Sequence, residues 1–269
     1  MKNKVVIITG GSSGIGKAMA FAFGNDGAKI VISARHSGPL EATSNELTLA
    51  GIDNLPIIAD VSSEADNKRL IESTIQKYGK LDILINNAGI TMRSLFADME
   101  DIEVIKKVMD VNFYGTVYAT KFALPYIKQT KGSIVGISSI AGYRGLPVRT
   151  GYSASKFAVN GFLEALRTEL LKTDVHILTA CPGFTASNIR FSALDGAGNE
   201  TGETVRDEDK MMSPEEVAYE IMKAVKRRKR ELILTSKGRW TVFLNKWLPA
   251  ITDRIVYKIL AKEKNSPLA

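Results

Sequence analysis

Tyr152 and Lys156 are the side chains in this sequence best placed to transfer a proton. They lie four residues apart, a spacing that puts both on one face of a helix, one turn from each other. A free phenol titrates near pH ~10, and a neighbouring ammonium stabilises the phenolate and lowers that pKa. The pair therefore predicts a site that donates a proton to a developing alkoxide or takes one from an alcohol.

A glycine-rich turn near the start of the chain predicts an anion-binding site. It consists of Thr9, Gly10, Gly11, Ser12, Ser13, Gly14, Ile15 and Gly16. A short β-branched run precedes the turn, and a helix is predicted to begin within residues 14–17. Glycines let the backbone turn sharply and approach a ligand closely, and the amides and dipole of a helix start favour a pyrophosphate.

The glycine spacing, Gly10-x-x-x-Gly14-x-Gly16, resembles the Thr-Gly-x-x-x-Gly-x-Gly fingerprint of the short-chain dehydrogenase/reductase family. Further motifs of that family follow in the expected order, namely Asp60-Val61, Asn86-Asn87-Ala88-Gly89, Ser139, Tyr152-Ser153-Ala154-Ser155-Lys156 and Pro182-Gly183. Together they extend the resemblance over roughly residues 4–235. An ordered set of motifs is far more specific than any one of them.

The resemblance implies catalytic roles for these residues. Ser139 would hold and polarise the substrate oxygen, and Asn112 matches the family asparagine that helps to hold a proton-relay water near the lysine. Lys156 would also bond the ribose hydroxyls of a nicotinamide cofactor. In this scheme the cofactor carries the hydride, while the protein supplies position and electrostatics.

The resemblance also implies where the adenosine half of the cofactor binds. Asp60 and Val61 correspond to residues that meet the adenine. Asn86, Ala88 and Gly89 correspond to the wall beside the ribose.

On the nicotinamide side, the resemblance points to Pro182, Gly183 and the residues that follow. The family often has a threonine five residues after this proline, where it binds the carboxamide. This chain has Ser187 at that position and Thr185 nearby, so a hydroxyl is retained.

The residues after the second predicted strand indicate which nicotinamide cofactor the chain uses. An acidic residue there would bond the ribose 2′-hydroxyl of NAD(H) and repel a 2′-phosphate. By family alignment that position is Ala34, and the next residue is Arg35, whose guanidinium fork suits a phosphate. Ser12 and Ser13 would add hydroxyl donors. The sequence therefore predicts NADP(H).

Short β-branched runs alternate with longer helical patterns and would hold these residues in place. The predicted strands lie at residues 5–8, 30–32, 56–59, 83–85, 133–137, 175–179 and 231–235. Nearly continuous apolar strands indicate burial on both faces, and helices between them indicate right-handed crossovers in a parallel sheet. With no internal repeat or linker, residues 1–269 are predicted to form a single α/β domain, a Rossmann-type doubly wound sheet of seven parallel strands.

Two segments depart from this pattern. Residues 188–212 are rich in Gly, Asn, Asp, Glu and Thr and lack a clear period, which predicts a mobile substrate loop. Residues 238–262 carry aromatic and aliphatic residues at helical spacing, with Pro249 separating two helices. The apolar face of this C-terminal extension is expected to pack in the core or on a second subunit. A place beside the substrate pocket and a peripheral membrane contact are the alternatives.

The motifs do not encode the substrate. The predicted pocket is lined by Ile140, Ala141, Tyr143, Leu146, Phe184 and residues of the 188–212 loop, positions that are mostly apolar. This favours a hydrophobic or lipid-like ketone, and the chain resembles reductases of hydroxysteroid or ketosphinganine type. Cells keep NADP pools reduced, so carbonyl reduction is the expected direction. The competing hypothesis is a non-catalytic NADP(H)-binding sensor, a class expected to lose part of the serine–tyrosine–lysine set.

The composition is typical of a soluble globular protein, with 45% hydrophobic and 24% charged residues. The net charge of +7 is interpreted as a basic surface rather than a nucleic-acid site, because no motif interleaves aromatic and basic residues. One cysteine, Cys181, and no visible secretory signal predict a cytoplasmic protein. No metal-ligand spacing is present.

The resemblance implies a homodimer or homotetramer assembled through the helices that carry Asn112 and Tyr152.

Overall fold

The strands of the chain form one parallel sheet in the computed structural model, which describes residues 1–183, 185, 188–202 and 211–269. Within these residues the sheet has seven strands: β1 (Val5–Thr9), β2 (Lys29–Ala34), β3 (Asn54–Ile58), β4 (Ile83–Asn86), β5 (Ser133–Ile137), β6 (His176–Cys181) and β7 (Glu231–Ile233). The helices formed by the described residues are α1 (Gly14–Asn25), α2 (Ser37–Leu49), α3 (Glu64–Tyr78), α4 (Glu103–Met109), α5 (Gly115–Thr130), α6 (Thr150–Glu169), α7 (Pro214–Lys226), α8 (Ser236–Trp247) and α9 (Pro249–Leu260). The predicted seven-stranded parallel sheet is confirmed, and each predicted strand overlaps an observed one.

The strand order β3-β2-β1-β4-β5-β6-β7 changes direction beside β1. β1 pairs in parallel with β2 on one side and with β4 on the other. In an open sheet of this kind, ligands bind outside the carboxyl ends of the strands at the point where the order reverses. The glycine turn after β1 and the loop after β4 therefore border the same crevice.

The strands are buried on both faces because helices cover each side of the sheet. Along β1, Val6 and Ile8 belong to one apolar core with residues of α1 and α7, while Val5 and Ile7 belong to a second core with residues of α3, α5 and α6. Side chains alternate between the two faces of a strand. One β-branched run therefore serves both cores, which explains its nearly continuous apolar character.

A π-helical segment, Asp110–Tyr114, joins α4 to α5. Such widened turns are frequent at functional sites. Asn112 lies within the segment and is buried, and its carbonyl accepts a hydrogen bond from the Thr116 hydroxyl at 2.8 Å. No residue pattern in the sequence indicated this irregularity.

The first part of the predicted mobile loop packs against the segment 91–94. The Leu194 amide donates to the Thr91 carbonyl at 3.0 Å, and the Arg93 amide donates to the Leu194 carbonyl at 2.7 Å. The Leu194 side chain is buried with Met92 and Val104. The buried Leu194 attaches this part of the loop to residues 91–93, a contact that the polar composition of the loop did not predict. Residues 203–210 of the predicted loop lie outside the described residues.

The C-terminal extension forms α8 and α9, and the break at Pro249 is confirmed. The Asn245 side-chain amide donates to the Tyr143 carbonyl at 2.9 Å, and Arg144 pairs with Asp253 at 2.6 Å. The exposed apolar side chains of the extension are Trp240, Phe243, Trp247, Leu248, Ile251, Ile255 and Ile259. These residues do not enter the core of their own chain, so contact with a second subunit or a membrane surface stays a prediction for them. Of the helices described, none has the length and apolar character needed to cross a bilayer.

Candidate active site

The glycine turn lies at the carboxyl end of β1, where the backbone approaches its neighbours closely. Gly10 has a φ of +65°, in the left-handed region that favours glycine. A side chain at Gly16 would place its Cβ 2.1 Å from the Gly10 carbonyl oxygen, a distance that no side chain tolerates. Both positions therefore require glycine in this turn.

Thr9 and Asn87 hold the turn against the loop after β4. The Thr9 hydroxyl accepts hydrogen bonds from the amides of Asn87 and Ala88 at 3.0 and 3.1 Å. The Asn87 side-chain amide donates to the carbonyls of Thr9 and Gly10 at 2.9 and 3.1 Å. Thr9, predicted as a cofactor contact, is itself buried and shapes the wall behind the turn. Asn87 belongs to the recognised motif, but its part in holding the turn was not predicted.

The start of α1 fits a pyrophosphate. Ser13 precedes the helix, and within the described structure its side chain makes no capping hydrogen bond. Ser63 and Ser213, by contrast, cap α3 and α7 with their hydroxyls. Gly10, Ser12, Ser13, Gly14, Ile15 and Gly16 line a cavity of about 300 Å³. First-turn amides that no side chain caps, beside glycine backbone that leaves room, are suited to an anionic ligand.

Arg35 follows β2 at the same edge of the sheet as the glycine turn. The Gly11 amide donates to the Ser33 carbonyl at 3.0 Å, which ties the end of β2 to the turn. Arg35 is exposed and forms no ion pair with another residue in the described part of the chain. Arg35 is not among the residues that line the cavity at the glycine turn, and its contact with a cofactor phosphate stays a prediction.

Three of the predicted adenosine-side residues lie beyond β3 and at the end of β4. One Asp60 oxygen accepts hydrogen bonds from the amide and hydroxyl of Ser62 at 2.9 and 2.7 Å. Val61 and Asn86 are buried, and the Asn86 side-chain amide donates to the Thr120 hydroxyl at 3.1 Å. Asp60, Val61 and Asn86 are not among the residues that line the cavity at the glycine turn, and their part in binding the adenosine half of a dinucleotide stays a prediction.

Tyr152 and Lys156 project from α6 into the cavity that the glycine turn lines. The Lys156 Nζ lies 5.7 Å from the centroid of the Tyr152 ring and donates to the Ile137 carbonyl at 2.9 Å. Ser139 lies just beyond β5 and lines the same cavity. The structure therefore brings the predicted serine, tyrosine and lysine together beside the glycine turn.

Burial has the largest effect on the pKa values of Tyr152 and Lys156. Removal from water raises the pKa of Tyr152, while a hydrogen bond with Ser139 and the charge of Arg149 act in the opposite direction. Burial also lowers the pKa of Lys156 to about 8. The predicted lowering of the phenol pKa by the ammonium is thus not found in the protein alone, because desolvation has the larger effect. A phenol that keeps its proton is the form that acts as an acid towards a carbonyl oxygen.

Asn112 has both polar atoms of its side chain engaged. Its Oδ1 accepts from the Ile90 amide at 2.8 Å, and its Nδ2 donates to the Ile90 carbonyl and the Ser155 hydroxyl, each at 2.9 Å. A Cβ at Gly89 would lie 3.2 Å from this Oδ1 and 3.6 Å from the Lys156 Nζ, so the two predicted residues meet at Gly89. The Asn112 side chain positions the loop after β4, and its part in holding a relay water stays a prediction.

Pro182, Gly183 and Thr185 also line the cavity. The Thr185 hydroxyl donates to the Gly183 carbonyl at 3.2 Å, and Arg190 donates to the Thr185 carbonyl at 2.9 Å. Ser187, predicted to meet the nicotinamide carboxamide, lies outside the described residues.

The substrate end of the cavity is more polar than the sequence predicted. Leu146 lines it as expected, but the Tyr143 hydroxyl donates to Glu231 instead, and Phe184 lies outside the described residues. Arg190 and Ser192 line the cavity and belong to the loop that was predicted to border the substrate, whereas Thr91 and Arg149 line it without having been predicted. For Arg149, the available signal in the sequence was its position three residues before Tyr152.

The remaining titratable candidates have structural roles or lie at the surface. Cys181 is buried, and burial raises the pKa of its thiol to about 12. The His176 ring bonds the Ser133 hydroxyl and the Lys229 carbonyl at 3.0 and 2.8 Å. His36 is exposed. Among the described residues no group of side chains is arranged to hold a metal ion.

Comparison with known proteins agrees with this arrangement. The family model described as short chain dehydrogenase matches residues 4–196. The chain is 43% identical over 187 residues to 11-beta-hydroxysteroid dehydrogenase 1A of Arabidopsis thaliana, an alignment that covers 69% of this chain and 53% of the relative. The chain therefore spans about half the length of this curated relative.

Two solved structures share the fold. One is a short chain dehydrogenase/reductase from Burkholderia phymatum in complex with NAD, with a TM-score of 0.84 and 24% identity, covering 93% of this chain and 95% of that one. The other is an alcohol dehydrogenase from the archaeon Thermococcus sibiricus complexed with 5-hydroxy-NADP, with a TM-score of 0.74 and 24% identity, covering 87% and 96%.

Proposed function

We propose that this chain, which belongs to the short-chain dehydrogenase/reductase family, is an oxidoreductase that reduces a hydrophobic or lipid-like ketone with NADPH. The observation that carries the proposal is the convergence of Ser139, Tyr152 and Lys156 on the cavity lined by the glycine turn. A dinucleotide held at the turn would extend its nicotinamide towards these side chains. The bound nicotinamide would supply the hydride for the carbonyl carbon.

The protein groups act on the carbonyl oxygen. The Tyr152 hydroxyl donates a proton to this oxygen as negative charge develops on it, and the Ser139 hydroxyl donates a hydrogen bond to the same atom. Lys156, with a pKa of about 8, is mostly charged at neutral pH and stabilises the phenolate left on Tyr152. In balance, the carbon gains a hydride, the oxygen gains a proton, and Tyr152 is reprotonated from solvent.

The choice of NADP(H) is a proposal that rests on the end of β2. A carboxylate at this position would repel a 2′-phosphate, whereas this chain has Ala34 followed by the exposed Arg35. A guanidinium fork bonds phosphate oxygens in a bidentate manner. The related folds are described with NAD in one case and with 5-hydroxy-NADP in the other, so the preference follows from this chain's own residues.

The proposed substrate class follows from the cavity and from the relatives. Ile137, Leu146 and Ile189 give the cavity an apolar side, and the Arabidopsis relative is named as a hydroxysteroid dehydrogenase. A ketone with a large apolar body would match both observations.

We expect the purified chain to oxidise NADPH in the presence of at least one ketone from a panel that includes steroids and long-chain 3-keto lipids. The readout is the loss of NADPH absorbance, with NADH in parallel and enzyme without ketone as the control. Tight NADPH binding with no turnover on any ketone would contradict the proposal and favour the non-catalytic sensor.

We also propose that the chain assembles into a homodimer or homotetramer through the helices that carry Asn112 and Tyr152. Tyr114 and Phe157 lie on those helices and are 44% and 45% exposed, and aromatic side chains are enriched at interfaces. Light scattering is expected to give a multiple of the 29.3 kDa chain mass, and Phe157→Glu is expected to shift it towards a single chain. A single-chain mass for the unaltered protein would refute the assembly.

A further inference from the structure

We infer that Arg149 forms an anion site at the substrate end of the cavity, so that the ketone carries a carboxylate or phosphate group. The inference rests on the proposed reduction of a lipid-like ketone and narrows its substrate to an anionic amphiphile. Arg149 immediately precedes α6 and lies three residues before Tyr152. Both side chains line the same cavity, so an anion at Arg149 belongs to a molecule that also reaches Tyr152.

Two further arginines line the cavities that Arg149 borders. A smaller cavity of about 50 Å³ shares Thr91, Arg149 and Arg190 with the main one and is also lined by Arg93. Among the described residues that line either cavity there is no aspartate or glutamate. Arginines gathered along one wall are suited to an anionic ligand.

The hydrogen-bond donors of the Arg149 guanidinium are only partly satisfied within the described residues. Its Nη2 pairs with the Glu263 carboxylate at 3.0 Å, and the Arg149 side chain is 12% exposed. Its Nη1 is buried and has no hydrogen-bond partner within the described part of the chain. Buried donors without a partner are uncommon because desolvation is then uncompensated. A ligand oxygen would satisfy this donor.

The ion pair of Arg149 with Glu263 is not the sole described contact that holds the C-terminal extension. The extension is also held by the Arg144–Asp253 pair at 2.6 Å and by Arg93, which donates to the Lys264 and Asn265 carbonyls at 3.0 and 2.8 Å. Because Glu263 places a carboxylate 3.0 Å from Arg149, an incoming anion would compete with it for the guanidinium.

The competition between Glu263 and a ligand anion distinguishes two roles for Arg149, namely binding the anion or only holding the C-terminal extension. If Arg149 binds the ligand anion, Arg149→Met weakens binding and Glu263→Gln strengthens it, because the second change removes the competing charge. If Arg149 only anchors the extension, both variants break the same ion pair and change ligand binding in the same direction.

The test is calorimetric titration of the full chain saturated with NADP⁺ at neutral pH. The probes are dodecanoate, dodecyl phosphate and the uncharged dodecanamide, none of which contains a ketone. The proteins are the unaltered chain, Arg149→Met, Arg149→Lys, Glu263→Gln and, as a matched control for the extension, Arg144→Met. Dodecanoate and dodecyl phosphate distinguish a carboxylate from a phosphate as the preferred group.

We expect the unaltered chain to bind one of the anionic probes about 10- to 100-fold more tightly than the amide, as for a charge-assisted hydrogen bond. Arg149→Met should abolish this preference, Arg149→Lys should restore part of it, and Glu263→Gln should increase it. Arg144→Met should leave the preference unchanged. Equal affinity for all three probes in the unaltered chain would overturn the inference, as would parallel changes in Arg149→Met and Glu263→Gln.

The experiments distinguish failure of the anion site from failure of the proposed reductase function. Turnover of uncharged ketones, with equal binding of charged and uncharged probes, would reject the anion site and keep the reductase. Arg149-dependent binding of an anionic probe, with no turnover of charged or uncharged ketones, would support the anion site and reject the reductase.

Discussion

Replacing Tyr152 with phenylalanine is expected to lower kcat for ketone reduction by about 10²–10⁴-fold, the contribution typical of a positioned general acid. The change removes one oxygen atom from a side chain that lines the cavity with Lys156 and Ser139. The ring keeps its place in α6, and the glycine turn is untouched. NADPH affinity should therefore be retained while the proton donor is lost.

The experiment compares turnover with NADPH binding, which is followed separately by fluorescence. Tyr143→Phe is the matched control, because it removes the same hydroxyl from a tyrosine that bonds Glu231 and lies outside the proposed proton path. Full activity in Tyr152→Phe would rule out the mechanism. Equal losses in both variants would point to a general effect of removing a phenol hydroxyl.

Replacing Arg35 with aspartate is expected to weaken NADPH binding by at least about tenfold to a hundredfold, the range for lost hydrogen bonds to a charged group. The new carboxylate would also repel the 2′-phosphate and accept hydrogen bonds from the 2′-hydroxyl of NADH. Arg35 is exposed at the end of β2, so the fold should tolerate the change. The preference is therefore expected to move from NADPH towards NADH.

Dissociation constants for NADPH and NADH measured on the same preparation give the preference directly. Lys172→Asp makes the same change of charge at an exposed position after α6 and controls for long-range electrostatics. If Arg35→Asp and Lys172→Asp shift the two constants alike, or if the cofactor preference of Arg35→Asp is unaltered, the assignment of Arg35 to the phosphate is wrong.

Much of the fold and of the candidate site was predictable from local sequence. The β-branched run at β1 and the glycine turn after it have short-range signatures, because strand burial and sharp turns restrict residue types over a few positions. Tyr152 and Lys156 share a helix face for the same local reason. Family resemblance added Ser139 and Asn112, whose roles no local pattern shows.

The ionisation of the site needed the folded chain. The pairing of Tyr152 with Lys156 predicted a lowered phenol pKa, yet burial raises the pKa of Tyr152 and lowers that of Lys156. Desolvation depends on every element packed around a group. It cannot be read from the spacing of two residues.

The sequence by itself determined the alternation of strands and helices, the glycine turn, the Tyr152–Lys156 pair and the position of Arg35 after β2. Tertiary structure alone decided which distant segments are in contact. Examples are the hydrogen bonds of Thr9 with Asn87 and of Asn112 with Ile90, and the ion pair between Arg149 and Glu263. Local patterns reflect which residue types suit a strand, turn or helix. Contacts between segments far apart in the chain depend on how the whole sheet and its helices pack, and in this protein such a contact sets Glu263 against the cavity-lining Arg149.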